Sequence, residues 1–272
     1  MAIPDRPPVR KASDAPGDGD EVPVAKRLSI TEHLEELRYR LIVCLIAIGI
    51  GAAVSFAFAR LIFEFLMQPI LNALPEEGPR RLVFTSAVEG FLVYIRVALY
   101  TGLFVAAPVF LHQLWRFVAP GLYARERRVV LPFVFFGTLM FAGGAAFCYY
   151  VVMPIGMPFL IGYAEAEFTE PMLSMREQLG LVKMLLLAFG VVFELPIVLA
   201  ALAMIGVVNA PMLARYRRYA ILLATIVSAV LTPQDPFSMM LMALPMYLFY
   251  ELGILLAWII GKRKAKKARS EA

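Results

Sequence analysis

LIVCLIAIGIGAAVSFAFA, residues 41–59, is the stretch that decides the fold. Its nineteen residues carry no charge. Wound into a helix at 1.5 Å per residue they span about 28 Å, close to the roughly 30 Å hydrocarbon core of a bilayer. Upstream, Leu34, Leu37 and Leu41 recur at helical spacing and carry the same helix back to a capping box, Ser29-x-x-Glu32. Residues 1–28 are rich in Pro, Asp, Gly, Arg and Lys and read as a disordered tail, with no apolar run of the kind a cleavable signal peptide requires.

Downstream the pattern repeats. A polar stretch containing Gln68-Pro69 and residues 75–81 is expected to be a loop. A second capping box, Ser86 and Glu89, opens an apolar run over 87–114 that Pro108 should bend. Residues 115–128 form a loop around Pro120-Gly121, a third helix covers 129–153, and Pro154, Pro158, Glu165, Glu167 and Glu170 mark the next loop. A fourth helix covers 178–205. The fifth run, 219–232, has 14 residues, or about 21 Å of helix, and a turn at 233–236 leads to the sixth, 237–260. The expected architecture is an all-α membrane protein. Six transmembrane helices, the final two short, gather into a concave bundle over residues 29–261, followed by a basic tail over 262–272.

Composition agrees. The chain has 272 residues, 61% hydrophobic and 17% charged, with mean hydropathy +0.74. An ordinary soluble domain is about 25% charged, and one core cannot hide this much apolar surface. A soluble enzyme, a disordered scaffold and a disulfide module are excluded. The apolar runs are continuous rather than alternating, which excludes a β-barrel. Cys44 and Cys148 lie inside apolar runs and read as small hydrophobes. Two distant histidines, His33 and His112, make no metal site, and no cofactor is expected.

The net charge of +5 is topological rather than a nucleic-acid signature. One set of termini and loops collects 20 of the 26 Lys and Arg residues: the N-terminal segment to Arg40, the 115–128 loop, Arg215, Arg217, Arg218 and the C-terminal tail. Basic residues near short loops stay cytoplasmic, so both termini are expected in the cytoplasm. Arg96 and Lys183 read as anchors near the outer helix ends.

No phosphate-binding loop, dinucleotide fingerprint, nucleophile elbow or zinc-protease motif is present, so energy for any transport must come from elsewhere. The remaining chemistry lies in carboxylates. Glu35 and Glu36 precede the first membrane entry, where Arg38 and Arg40 offer local ion pairs. Glu126 sits among Arg125, Arg127 and Arg128. Glu194 and Glu251 lie inside apolar runs, where a charged carboxylate costs several kcal/mol unless protonated, hydrated or paired. Pro196, two residues after Glu194, loosens that helix.

Six segments together resemble the TatC family, the multispanning core of the twin-arginine translocase. They are HLEELRYRL (33–41), TSAVEGF (85–91), LWRFVAPGLYARERR (114–128), FGVVFELP (189–196), LTPQD (231–235) and LPMYLFYELG (244–253). The resemblance covers roughly residues 28–260. It implies a receptor, not an enzyme, that binds twin-arginine signal peptides of folded cargo. It further implies single-span partners, TatA and TatB, association with other TatC copies, residence in the cell inner membrane, and transport driven by the proton-motive force. Carried over by motif, Glu36 and Glu126 are the signal-binding acids, with Arg38, Phe117 and Pro120 beside them and Glu35 an additional carboxylate. Glu194 matches an intramembrane acid of the fourth helix. Asp235 and Pro69 match outer-face positions.

A guanidinium fork matches a carboxylate bidentately, and lysine cannot copy it. Two such bonds, at about 1.5–3 kcal/mol each before solvent screening, fall short of the roughly 8 kcal/mol of micromolar binding. The remainder is expected from burial of the signal's apolar segment. The competing expectation is an ion-coupled small-molecule transporter in which Glu194 and Glu251 relay protons.

Overall fold

The computed structural model describes residues 30–75, 81–84, 86–118, 130–164, 172–232 and 235–271. Ser29 of the first capping box, the 1–28 tail, Pro120, Glu126 and the acidic residues 165, 167 and 170 lie outside the described residues. The chain divides into two units, Met1–Tyr39 and Arg40–Ala272. Almost everything described is helix: α1 (Ile30–Phe56), α2 (Ala59–Ala73), α3 (Glu89–Val105), α4 (Ala107–Val118), α5 (Val130–Phe147), a π-helical segment (Cys148–Val152), α6 (Met153–Ala164), α7 (Met175–Phe193), α8 (Leu195–Ile205), α9 (Ala210–Arg215), α10 (Arg217–Leu231) and α11 (Pro236–Glu271).

Four stretches are long and apolar enough to cross a bilayer: Leu34–Phe56, Leu131–Tyr163, Met175–Ile205 and Pro236–Lys266. The pair α3 and α4, bent by 49° at Ala106, makes a fifth. The bend lies where Pro108 predicted it, because proline removes an intrahelical donor and crowds the preceding turn. At 15 residues α10 is short, as expected. The final helix is not: α11 has 36 residues and carries the basic 262–271 segment as helix.

Two expected loops are helical. The polar stretch around Gln68-Pro69 belongs to α2, with Pro69 buried inside it. Its polar residues Arg60, Glu64, Gln68 and Asn72 recur every four positions on one face, joined by an Arg60–Glu64 pair at 3.0 Å and a Gln68–Asn72 hydrogen bond at 3.2 Å. Ala59, Phe63, Met67 and Ile70 form the buried face. Pro154 and Pro158 likewise sit in α6. The third helix continues past Tyr149 by widening into the π segment, where the Met153 N–H reaches the Cys148 carbonyl. The wider turn relieves the clash of the Pro154 ring with the carbonyl four residues before it.

The core joins α2, α3, the π segment, α6 and α7, centred on Phe189, Met67, Ile70, Met153 and Val182. Small residues let helices meet closely, as membrane packing requires. Gly51 of α1 lies against Gly102 of α3, and a Cβ built on Gly102 would stand 2.5 Å from the Ala52 nitrogen. A Cβ on Gly144 would stand 2.4 Å from the Phe189 carbonyl oxygen, which sets the approach of α5 to α7. Cys44 and Cys148 are buried free thiols, as their apolar surroundings predicted.

Candidate functional site

Glu194 occupies the break between α7 and α8, a turn in an otherwise continuous 31-residue apolar span. Pro196, the second residue of α8, cannot donate to the preceding turn, and the chain reorganises there. The side chain is buried, with 8% of its surface accessible. Its carboxylate faces Gly137 of α5, where an added Cβ would stand 3.2 Å from Oε2. Leu111 of α4 borders the same position. Oε1 has no hydrogen-bond partner among the described residues. The glycine therefore makes the room that the carboxylate fills.

Glu251 differs. Arg217, the first residue of α10, grips it bidentately: Nε stands 2.7 Å from Oε1 and Nη2 donates to Oε2 at 2.8 Å. The Tyr247 hydroxyl donates to Oε1 at 2.8 Å. Glu251 is thus the acid half of a clamp between α10 and α11, not an unmatched intramembrane carboxylate. The sequence pointed to Glu251 because its run is apolar; Arg217 lies 34 positions away, where helical periodicity has no reach.

Glu35 and Arg38 are exposed and Glu36 is half-buried in the first turns of α1. Phe117 falls in the last turn of α4, while Pro120 and Glu126 lie outside the described residues, so the expected pairing of Glu36 with Glu126 is neither assembled nor broken here. Arg40, read from the sequence only as a local partner for Glu36, is buried. Its Nη1 donates to the Gln113 carbonyl near the C-terminal end of α4 at 3.1 Å, where a cation is also favoured by the helix dipole.

Two further carboxylates, Asp235 and Glu89, do structural work. Asp235 caps α11, its Oδ1 accepting from the Ser238 N–H at 2.7 Å, while Oδ2 is buried without a partner among the described residues. Glu89 is buried, and the expected capping box with Ser86 does not start α3: Val88 is the N-cap, and the Glu89 N–H meets the Ser86 backbone carbonyl at 3.0 Å. Its Oε1 accepts from the Ser174 hydroxyl at 3.1 Å and the Arg176 N–H at 3.2 Å, placing negative charge at the start of α7. Val83 pairs in parallel with Ser174 beside it, with Val83 N–H to Leu173 O and Met175 N–H to Val83 O both at 2.9 Å. Pro69, expected in an outer loop, instead frees the Phe65 carbonyl, which accepts from the Tyr149 hydroxyl at 2.6 Å. Among the described residues no cluster of His, Cys, Asp and Glu suits a metal ion.

Residues 32–245 match the family model of TatC, the Sec-independent protein translocase protein. The chain is 40% identical to the Sec-independent protein translocase protein TatC of Desulforapulum autotrophicum, over 86% of each chain. It is 39% identical to the protein of the same name from Aquifex aeolicus, over 87% of this chain and 98% of that one. Its fold superposes on a crystal structure of the twin-arginine translocase receptor TatC with a TM-score of 0.72, at 38% identity, covering 85% of this chain and 100% of that chain. A second crystal structure of that receptor, in DDM, gives 0.74 at 39% identity, covering 83% and 99%. With a match through almost every described helix, the chain belongs to the TatC family of Sec-independent protein translocase proteins.

Proposed function

We propose that this chain is the receptor core of a twin-arginine translocase. It binds the twin-arginine signal peptides of folded cargo and organises their export with TatA, TatB and further copies of itself. The observation that carries this reading is the likeness, along most of the chain, to crystal structures of the twin-arginine translocase receptor TatC. The basic bias of the termini and of the 115–128 loop supports an inner-membrane orientation with both termini cytoplasmic. In that orientation Glu35, Glu36 and Arg38 in α1, with Phe117, Pro120 and Glu126 around the first cytoplasmic loop, are the signal-reading residues.

The chemistry is selection by geometry followed by retention by burial. Glu36 and Glu126 each accept one guanidinium fork, which lysine cannot reproduce. The apolar part of the signal then contributes about 25 cal/mol per Å² buried from water. Glu194, buried against Gly137, is the intramembrane acid of the receptor, and Asp235 and Pro69 are its outer-face positions. The clamp weakens with salt more than the apolar contact does. Photo-crosslinkers placed at residues 36 and 126 test the reading. A twin-arginine peptide is captured at both and a twin-lysine peptide at neither; capture only at unrelated surface sites contradicts it.

The transporter alternative loses its second acid, because Arg217 and Tyr247 already occupy Glu251.

A further inference from the structure

A cavity of about 310 Å³ opens between α2, α3, the end of α5 with the π segment, and α7. Tyr149 is buried at its floor, whereas Phe65 and Tyr150 at its rim are 51% and 67% exposed. In a chain of membrane-spanning helices that exposed rim faces lipid. The wall is apolar and aromatic except at one place. There Lys183 of α7 donates from Nζ to the Tyr100 hydroxyl of α3 at 2.7 Å and lies 4.5 Å from the centre of the same ring. Thr101 lines the cavity next to Tyr100.

Two features of this corner need a ligand. The first is charge: Lys183 forms no salt bridge with an acid among the described residues, and an ammonium inside a membrane span is normally matched. The second is hydrogen-bond arithmetic. The ammonium has three donors and gives one to Tyr100, and the Tyr100 hydroxyl, having accepted, still has its own proton to give. The corner offers donors in excess of acceptors. An occupant must bring acceptor oxygens and negative charge together with an apolar body.

Charge decides between a lipid and an apolar helix: the single cationic corner asks for a phosphate, while the apolar and aromatic wall asks for an acyl chain. Depth agrees: Arg176, Glu177 and Gln178 mark the polar end of α7, and Lys183 lies five residues further in, about 7.5 Å along the axis. A lysine stem reaching back toward that end brings its ammonium to the level of a lipid's ester and phosphate oxygens. We infer that this cavity is a binding site for an anionic glycerophospholipid, with one acyl chain along Ile62, Leu66, Phe104 and Leu186 beneath the Phe65 and Tyr150 rim and the phosphate on Lys183 and Tyr100. The π segment belongs to the site: its wide turn sends Tyr149 inward to the Phe65 carbonyl and Tyr150 out to the rim.

The test is native mass spectrometry of the full chain taken from nanodiscs of equal phosphatidylglycerol and phosphatidylcholine. The intact protein should keep one phosphatidylglycerol through detergent stripping. Lys183→Met should lower that retention roughly tenfold, the loss of one charge-assisted hydrogen bond, and leave phosphatidylcholine unchanged. Lys183→Arg should keep the preference, and Ala145→Phe, which fills the cavity, should abolish retention of both lipids. A benzoylphenylalanine at position 150 with Lys183 intact should capture lipid, which keeps the test decisive if Lys183→Met fails to fold. Equal phosphatidylglycerol retention by a folded Lys183→Met, or a protein adduct at position 150 in place of lipid, overturns the site.

Discussion

The Tyr149 hydroxyl donates to the Phe65 carbonyl oxygen at 2.6 Å. That carbonyl would normally take the N–H of residue 69, but residue 69 is proline, so α2 leaves an acceptor unpaired inside an apolar core. Tyr149 supplies the missing donor from another helix, and its ring stacks on Phe65 with centroids 4.5 Å apart. Pro69 and Tyr149 are therefore one device, 80 residues apart, that keeps α2 docked on the π segment. Tyr149→Phe should destabilise the detergent-solubilised protein by about 1 kcal/mol, the cost of an unmet buried acceptor. In a Pro69→Ala background, where the helix has its own donor, the same change should cost much less. Equal costs in a thermal or SDS unfolding cycle would show that the two positions are independent.

Gly143 and Gly144 are neighbours with opposite expectations. Nothing lies within 4 Å of a Cβ built on Gly143, and helix propensity favours alanine there by up to about 1 kcal/mol. A Cβ on Gly144 would meet the Phe189 backbone carbonyl of α7. Gly143→Ala should leave the melting temperature unchanged or raise it, and Gly144→Ala should lower stability by about 1–3 kcal/mol through forced separation of α5 and α7. Similar melting curves for the two variants would contradict the close packing.

The Arg217–Glu251 clamp predicts a structural rather than a proton-carrying role. Both side chains are partly exposed, at 48% and 29%, so the pair is screened and contributes at most about 1 kcal/mol. Glu251→Gln should keep most translocation activity in inverted vesicles. Abolished activity with an intact fold would revive the proton relay.

Glu194 predicts a trade of stability against activity. Its buried carboxylate, with Oε1 unpartnered among the described residues, is costly to keep in an apolar site. Glu194→Leu should raise the melting temperature of the purified protein while lowering translocation. A variant both less stable and fully active would make Glu194 a purely structural group.

Much of the frame was legible because bilayer thickness imposes long apolar runs and because proline acts locally. The bend at Pro108, the shortness of α10 and the break at Glu194 all follow from nearby residues. What escaped reading was amphipathic or long-range. Helix α2 looked like a loop because Pro69 and four polar residues interrupt it, although the four-residue recurrence of Arg60, Glu64, Gln68 and Asn72 was available as a helical signal. The π segment hides an extra residue that simple periodicity cannot count. The partners of Glu251, Glu89 and Lys183 lie 34, 87 and 83 positions away, and only packing brings them together. The proposed signal-reading residues were legible only as motif positions, since Glu36 and Glu126 are on segments that periodicity does not join.

The most direct measurement of the central claim is peptide discrimination by the Glu36→Ala, Glu126→Ala double variant of the full chain in nanodiscs. Fluorescence anisotropy would compare a twin-arginine signal peptide with its twin-lysine counterpart. The wild type should prefer the twin-arginine peptide by roughly tenfold or more, as expected for a bidentate pair worth at least about 1.4 kcal/mol. The double variant should bind both peptides with equal, weaker affinity through the apolar segment alone. An undiminished preference for twin arginine in that variant would contradict the account.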